Sequence, residues 1–310
     1  MENTRAKTTR NSLILLLTAT IWGMAFVSQS KGMDYMHPFT FNGVRSLIGA
    51  AGILVYILIS RKIAGDKAAK LDWKLNVRAG LLCGIFLTIA STLQQFGIKY
   101  TSVGKAGFIT TLYIIFVPMF GIFLKKKVAP VVWAAAGMAA VGMYLLCMTE
   151  SLSLGAGDIM VFLCAIAFAI QIMTVDHYAA RIDGAVVSCI QFTVCGVVCC
   201  IGALIWGQPT FGQIQEGLGA LLYAGVLSCG VGYTLQIVGQ KGLNPTVAAL
   251  IMSLESVIAT ISGWIAYKIG FLSTDQTLTP RQIAGCVIVF AAVILVQLPL
   301  EWFRFGKKNA

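Results

Sequence analysis

Residues 244–268 read NPTVAALIMSLESVIATISGWIAYK, a hydrophobic run long enough to cross a bilayer, with one carboxylate, Glu255, near its middle. At a helical rise of about 1.5 Å per residue, Glu255 sits about 15 Å past Pro245, in a hydrocarbon core about 30 Å thick. An ionised side chain at that depth costs on the order of 3 kcal/mol. Ala248, Met252, Glu255, Ala259, Ser262 and Ala266 follow each other in steps of three and four, so they share one helical face. Leu250, Leu254, Val257, Ile261 and Trp264 form the opposite, bulky face. Small residues around one acid suit a cavity wall or a close helix contact, and the bulky face is expected toward lipid.

The same run has a partner earlier in the chain. Sliding the sequence by 142 positions lays residues 93–121 on residues 235–263 without a gap. Leu93, Gln94, Gly97, Lys99, Ala106, Ile109, Leu112 and Gly121 then meet identical residues at Leu235, Gln236, Gly239, Lys241, Ala248, Ile251, Leu254 and Gly263. Apolar helices match by chance at Leu and Ile, but Gln, Gly and Lys agreeing in one frame point to an internal duplication. The position matching Glu255 is Tyr113.

Composition bounds the class. A chain of 310 residues, 58% hydrophobic and only 11% charged, with a mean hydropathy of +0.84, has too little polar surface for a soluble core of its size. Gly is abundant (32) and Pro scarce (7), which suits close helix packing. A net charge of +11 would suggest nucleic acid in a soluble domain; here loop charges that fix membrane orientation account for it, and no nucleic-acid partner is expected. Nine cysteines show no disulfide or metal spacing and read as small hydrophobes. The basic, then apolar, N-terminus imitates a signal peptide, but the pattern recurs along the chain, so the first run reads as a retained anchor.

Ten spans are expected, over 12–31, 37–60, 78–98, 103–124, 129–147, 156–178, 184–206, 216–240, 245–267 and 281–300, with 61–77 as the one polar loop of any length. With the N-terminus cytoplasmic, the inner segments hold Arg5, Lys7, Arg10, Arg61, Lys62, Lys67, Lys70, Lys74, Arg78, Lys125, Lys126, Lys127, Arg181, Lys241, Arg304, Lys307 and Lys308, 17 of the 23 basic residues. Lys31, Lys99, Lys105, Lys268 and Arg281 lie outside and Arg45 within a span, an imbalance that puts both termini in the cytoplasm. Five spans per copy is odd, so the second copy enters the membrane inverted. The fold class expected is an all-α integral membrane protein of two inverted five-helix repeats, 1–147 and 148–310, forming one joint membrane domain.

Several short motifs fall in order on these spans: Ile21-Trp22-Gly23 in the first, Arg45 in the second and Tyr100-Thr101-Ser102 leading into the fourth, which holds Leu112-Tyr113 and Val117-Pro118. Ala248-Ala249-Leu250-Ile251 and Ser253-Leu254-Glu255 stand in the ninth. In this layout the chain resembles the drug/metabolite transporter superfamily and, within it, the EamA-type exporters, over nearly its whole length. That resemblance implies ten spans, a transporter and a site between the halves. Two departures stand out: Ser256 follows Leu254-Glu255 where the family usually has Pro, and Lys125, Lys126 and Lys127 replace a common Gly-Glu pair.

Candidate site residues follow from the cost of polar groups in lipid. Glu255 reads either as a protonatable gate or cation ligand, or as a neutral acid bonded to a neighbouring helix. Arg45, about 12 Å into its span, shares a face with Asn42, Gly49 and Gly52; it could bind a substrate carboxylate, or snorkel to the outer end. Gln94, Gln95 and Gln236 either line an aqueous cavity or bond between helices, as does the stripe Gly84, Thr88, Ser91, Gln95. Trp22 with Gln29, and Gln171 with Thr174, give aromatic and amide walls suited to amino-acid-like or aromatic solutes. Tyr113 and Tyr233 need hydroxyl partners from substrate or protein. Asp176, His177, Arg181 and Asp183 read as a solvated loop with local ion pairs. No metal spacing, phosphate loop or nucleophile elbow is seen, so no cofactor, metal or enzymatic activity is expected.

The sequence thus predicts a multi-pass protein of the bacterial inner membrane that exports small metabolites, amino-acid-like or amphipathic solutes by alternating access, with protons the simplest coupling ion. A facilitator or importer of the same fold, or a membrane enzyme acting on lipid intermediates, are the alternatives. Expected partners are a small-molecule substrate and membrane lipid.

Overall fold

In lipid every backbone group needs an internal partner, which helices provide. In the computed structural model, which describes residues 2–65, 71–124, 129–147, 155–273 and 276–297, all regular structure is helical. Lys67, Lys70, Lys125, Lys126, Lys127, Arg304, Lys307, Lys308 and the end of the tenth expected span lie outside the described residues.

Eight helical stretches among the described residues are long and apolar enough to cross a membrane. They are α1 (Glu2–Gly32), α2 (Pro38–Ala64), α3 (Trp73–Ile98), the tandem α4 (Val103–Thr111) and α5 (Tyr113–Phe123), α7 (Ala156–Tyr178), α8 (Gly184–Gly202) with a π-helical end Ala203–Gly207, a mixed span ending in α11, and the tandem α12 (Pro245–Met252) and α13 (Leu254–Lys268). The mixed span follows the short α9 (Phe211–Glu216) and runs through α10 (Leu218–Leu222), a π-helical stretch Tyr223–Gly232 and α11 (Tyr233–Gln240). At the fifth and tenth expected spans stand α6 (Pro130–Cys147) and α14 (Pro280–Gln297), whose apolar stretches are shorter, Pro130–Gly142 and Pro280–Leu295.

Local chemistry sets the helix starts. Asp72 caps α3, its Oδ1 accepting from Leu75 N–H at 3.0 Å, and Ser102 caps α4. Asn244 caps α12, with Pro245 at the first helical position, where its missing N–H costs nothing. The Asp72 cap starts the third span five residues before the expected residue 78, while α2 runs on to Ala64, so the polar loop expected over 61–77 is shorter than its composition suggested.

Two of the spans, each one continuous helix, tighten in mid-course. At Leu112, between α4 and α5, and at Ser253, between α12 and α13, the backbone keeps right-handed helical angles while bonds three residues apart replace part of the ladder. The carbonyls near each tightened turn are met alike. Thr111 Oγ1 donates to Phe108 O at 2.9 Å and Ser253 Oγ to Leu250 O at 2.7 Å; each donor and each acceptor is 142 positions from its equivalent. Ser and Thr hydroxyls that bond back to a carbonyl of their own helix tend to bend it locally.

Packing crosses the sequence midpoint throughout: α2 lies on α8, α3 on α7 and α8, α1 on α13, and α6 on α14. Glycines allow the closest approaches. A Cβ on Gly97 of α3 would stand 2.8 Å from Gly157 O of α7, and one on Gly225 would stand 2.9 Å from Arg45 O. Asp158, at the start of α7, is buried and bound to Lys105 Nζ at 2.6 Å, Thr101 Oγ1 at 2.9 Å and Gly155 N at 2.9 Å, clasping α7 to α4. The outward surface is aliphatic, for example Leu54, Val55, Leu58 and Ile59 on α2, as lipid contact requires.

One expectation fails here. Leu250 and Leu254 are buried, not lipid-facing; of that face only Ile261 is exposed, with Val257 and Trp264 intermediate. The reason is the surroundings of α12, which packs against α5, α6, α7 and α14 and is therefore enclosed on all sides, while the outer half of α13 keeps one lipid face. Helical periodicity ranks the faces of a helix but does not reveal how many neighbours it has.

Candidate functional site

The two tightened helices bring the two matched residues together. Tyr113 opens α5 and Glu255 lies in the first turn of α13. Tyr113 Oη donates to Glu255 Oε1 at 3.1 Å, with both side chains buried. A helix start also favours an acceptor, because its first N–H groups carry partial positive charge.

This bond borders a narrow cavity of about 40 Å³ within the bundle. That volume holds a few waters but no metabolite. Of the ten residues singled out in the sequence, nine line it: Glu255, Tyr113, Arg45, Gln94, Gln236, Trp22, Gln29, Gln171 and Tyr233. Gln95 does not. It is fully buried behind the wall, its Nε2 donating to Gln29 O at 3.1 Å, which ties α3 to α1. The rest of the expected α3 stripe divides the same way. Gly84 packs on α8, Thr88 bonds Gly84 O at 2.6 Å, and Ser91 reaches the cavity.

The walls are amide, hydroxyl and aromatic. Gln171 and Gln236 exchange two side-chain bonds, Nε2 to Oε1 at 3.4 and 3.2 Å. Gln94 Nε2 donates to Thr110 Oγ1 at 3.1 Å. Trp22 lies against Tyr233, ring centroids 4.5 Å apart, with its Nε1 donating to Ser228 O at 3.4 Å; Phe192 meets Tyr233 edge-on at 5.0 Å. Thr174, read with Gln171, instead bonds back to Ile170 O within its own helix.

Arg45 is the exception to this satisfaction. It is 5% exposed, so it does not snorkel, and its guanidinium carbon stands 5.4 Å from the centroid of the Phe41 ring. Among the described residues no carboxylate pairs with it, and its Nε is buried without a hydrogen-bond partner. Gln29 Oε1 is likewise buried and unpartnered. A buried cation without an acid is costly unless an anion comes and goes.

Several cavity residues escaped the sequence reading. Ser46, Ser228, Thr110, Cys229, Phe168 and Phe192 look like ordinary membrane-helix residues and carry no mark of their position. One signal could have been found: Gln29 and Gln171 are also 142 positions apart, so the cavity holds two matched glutamine pairs. The residues at the end of α7 lie away from the central cavity. Asp183 caps α8, accepting from Ala185 N and Val186 N, and His177 rests edge-on against Tyr178 at 4.6 Å.

Comparison with known proteins agrees with this architecture. The model of the EamA-like transporter family matches the chain twice, over residues 10–148 and 155–298. A protein of Archaeoglobus fulgidus described as an uncharacterized transporter is 27% identical over 290 residues, covering 92% of this chain and 84% of that one. The uncharacterized transporter YwfM of Bacillus subtilis is 24% identical over 291 residues, covering 92% and 93%. A solved structure described only as the crystal structure of a protein aligns with a TM-score of 0.73 at 16% identity, over 96% of this chain and 99% of that one, a likeness of fold. This multi-pass membrane protein, a transporter, belongs to the EamA-like transporter family.

Proposed function

We propose that the protein is a secondary transporter of the bacterial inner membrane that exports small amino-acid-like or amphipathic metabolites by alternating access. The observation that carries this reading is the presence of Arg45, a buried cation with no ion-paired carboxylate among the described residues, and Glu255, a buried acid bonded to Tyr113, in the wall of one cavity. A solute with an anionic and a cationic group complements both, and Trp22, Tyr113 and Tyr233 offer faces to an apolar side chain. At about 40 Å³ the cavity is too small to hold such a solute, so binding requires the helices around it to separate.

The architecture in this reading is ten spans in two inverted halves, 1–147 and 148–310, with both termini inside. The double match of the family model supports it, as do the tightened turns at Leu112 and Ser253 and the matched hydroxyl bonds of Thr111 and Ser253. Glu255 is the proton site: its carboxyl alternates between the Tyr113 hydroxyl and water admitted when the cavity opens.

The test uses purified protein in proteoliposomes loaded with a pH-sensitive dye and challenged with amino acids, purines and cationic drugs. Proton flux evoked by one substrate class, and absent in Glu255→Gln, is the expected result. Substrate movement without proton flux would leave a facilitator and remove Glu255 from the mechanism. Silence across the panel would reject this substrate range.

A further inference from the structure

A second cavity lies at the end of the bundle that the charge count puts inside. It has a volume of about 620 Å³, within the range of small-molecule sites, and opens between α2, α3, α8 and α11. Three basic side chains converge on it from three directions: Arg61 from the end of α2, Arg181 from the turn after α7, and Lys241 after α11. Two acids are present as well, but both are engaged. Asp72 Oδ1 accepts from Leu75 N, and Asp183 Oδ1 accepts from Ala185 N and Val186 N at 2.9 and 3.1 Å. A helix start offsets about half of the charge of the carboxylate that caps it, so three cations facing two acids leave the cavity net positive.

Its wall is built to hold a head and a tail. Lys241 Nζ is steadied by Ile182 O at 3.2 Å, and Ser60, Thr234 and Tyr56 line the cavity with the basic groups. Tyr56 is 61% exposed and continues along α2 into the apolar outer face of Ile59 and Ile63. A soluble anion would use the cations and ignore that face, whereas a phospholipid uses both. We propose that this cavity binds the headgroup of an anionic phospholipid, with its acyl chains lying along α2. Basic pockets between membrane helices on the inner side take such headgroups because each cation near the surface adds to the attraction. The site is separate from the central cavity and does not depend on what that cavity transports.

The experiment is native mass spectrometry of the full-length protein in detergent, titrated with phosphatidylglycerol, phosphatidylcholine or glycerol 1-phosphate. The wild type is expected to retain phosphatidylglycerol over the other two. Arg61→Gln/Arg181→Gln/Lys241→Gln is expected to bind it tenfold to about a hundredfold more weakly. Arg181→Gln alone, at an exposed position outside the helices, keeps the fold and loses severalfold. Lys74→Gln/Arg78→Gln neutralises two cations on the neighbouring groove and leaves binding unchanged. Equal loss in that control would mean diffuse attraction with no site, and equal binding of glycerol 1-phosphate would mean a soluble-anion site; either result overturns the proposal, as does a wild type without preference.

Discussion

Tyr113 and Glu255 are 142 residues apart in the chain and 3.1 Å apart in space, and 142 is also the offset at which the two halves of the sequence align. A side chain can touch its own counterpart in a duplicated structure only near the axis relating the copies. In the proposed inverted repeat this bond therefore marks the centre of the molecule, where a rocking motion changes both halves at once. The duplication has also diverged there: one copy carries a phenol and the other an acid, so the axis holds a donor and an acceptor.

That pair sets the first prediction. Glu255→Gln is expected to fold and to lose proton-coupled transport, while Tyr113→Phe lowers stability by about 1 kcal/mol, the usual net worth of one hydrogen bond. A double-mutant cycle read by thermal unfolding should give a coupling of similar size. Wild-type transport by Glu255→Gln with an unchanged pH profile would exclude the acid from the mechanism.

Arg45 separates a structural from a functional role. Arg45→Met keeps much of the volume and removes a buried cation that no described acid offsets. Its unfolding temperature is expected to stay level or rise, while transport falls at least tenfold. A loss of about 3 kcal/mol in stability would assign Arg45 to the framework instead.

Gly97 and Gly52 make a matched comparison. Gly97→Ala drives a methyl against Gly157 O, which belongs to a helix backbone and cannot step aside; a cost of about 1–3 kcal/mol is expected. Nothing lies within 4 Å of a Cβ at Gly52, so Gly52→Ala should be neutral or stabilise by about 0.5–1 kcal/mol through helix propensity. Unfolding curves of the two variants check both signs.

His37, between α1 and α2, caps α2 through Nδ1, which accepts from Phe39 N at 3.4 Å. Burial beside Phe39 and Phe96, and then the charge of Lys99, hold its pKa below the usual 6.5. A base with a lowered folded pKa adds stability that is present above the unfolded value and lost as pH falls toward the folded one. Acidification below about 6 should therefore loosen the start of α2. His37→Asn, which keeps a capping acceptor without titrating, should remove that pH dependence from the unfolding temperature.

The sequence by itself determined the class, eight of the ten expected spans and the family. Hydrophobic runs of bilayer length report directly on the solvent around them, and eight of the ten expected stretches coincide with long apolar helices to within a few residues. Nine of the ten candidate site residues also line the central cavity, since an acid, an arginine or an amide in lipid is costly and is turned inward. Tertiary structure alone decided the rest. Gln94 and Gln95 are neighbours in one helix, yet one faces the cavity and the other ties α3 to α1, a matter of which helix stands opposite. Leu250 and Ile261 read as the same face, yet only Ile261 is exposed, since burial depends on neighbours hundreds of atoms away in the chain. The tightened turns at Leu112 and Ser253 carry no Gly or Pro to announce them; there Thr111 and Ser253 meet carbonyls of their own helices inside a packed bundle. Whether Arg45 had an acid to pair with could be learned only by bringing the helices together.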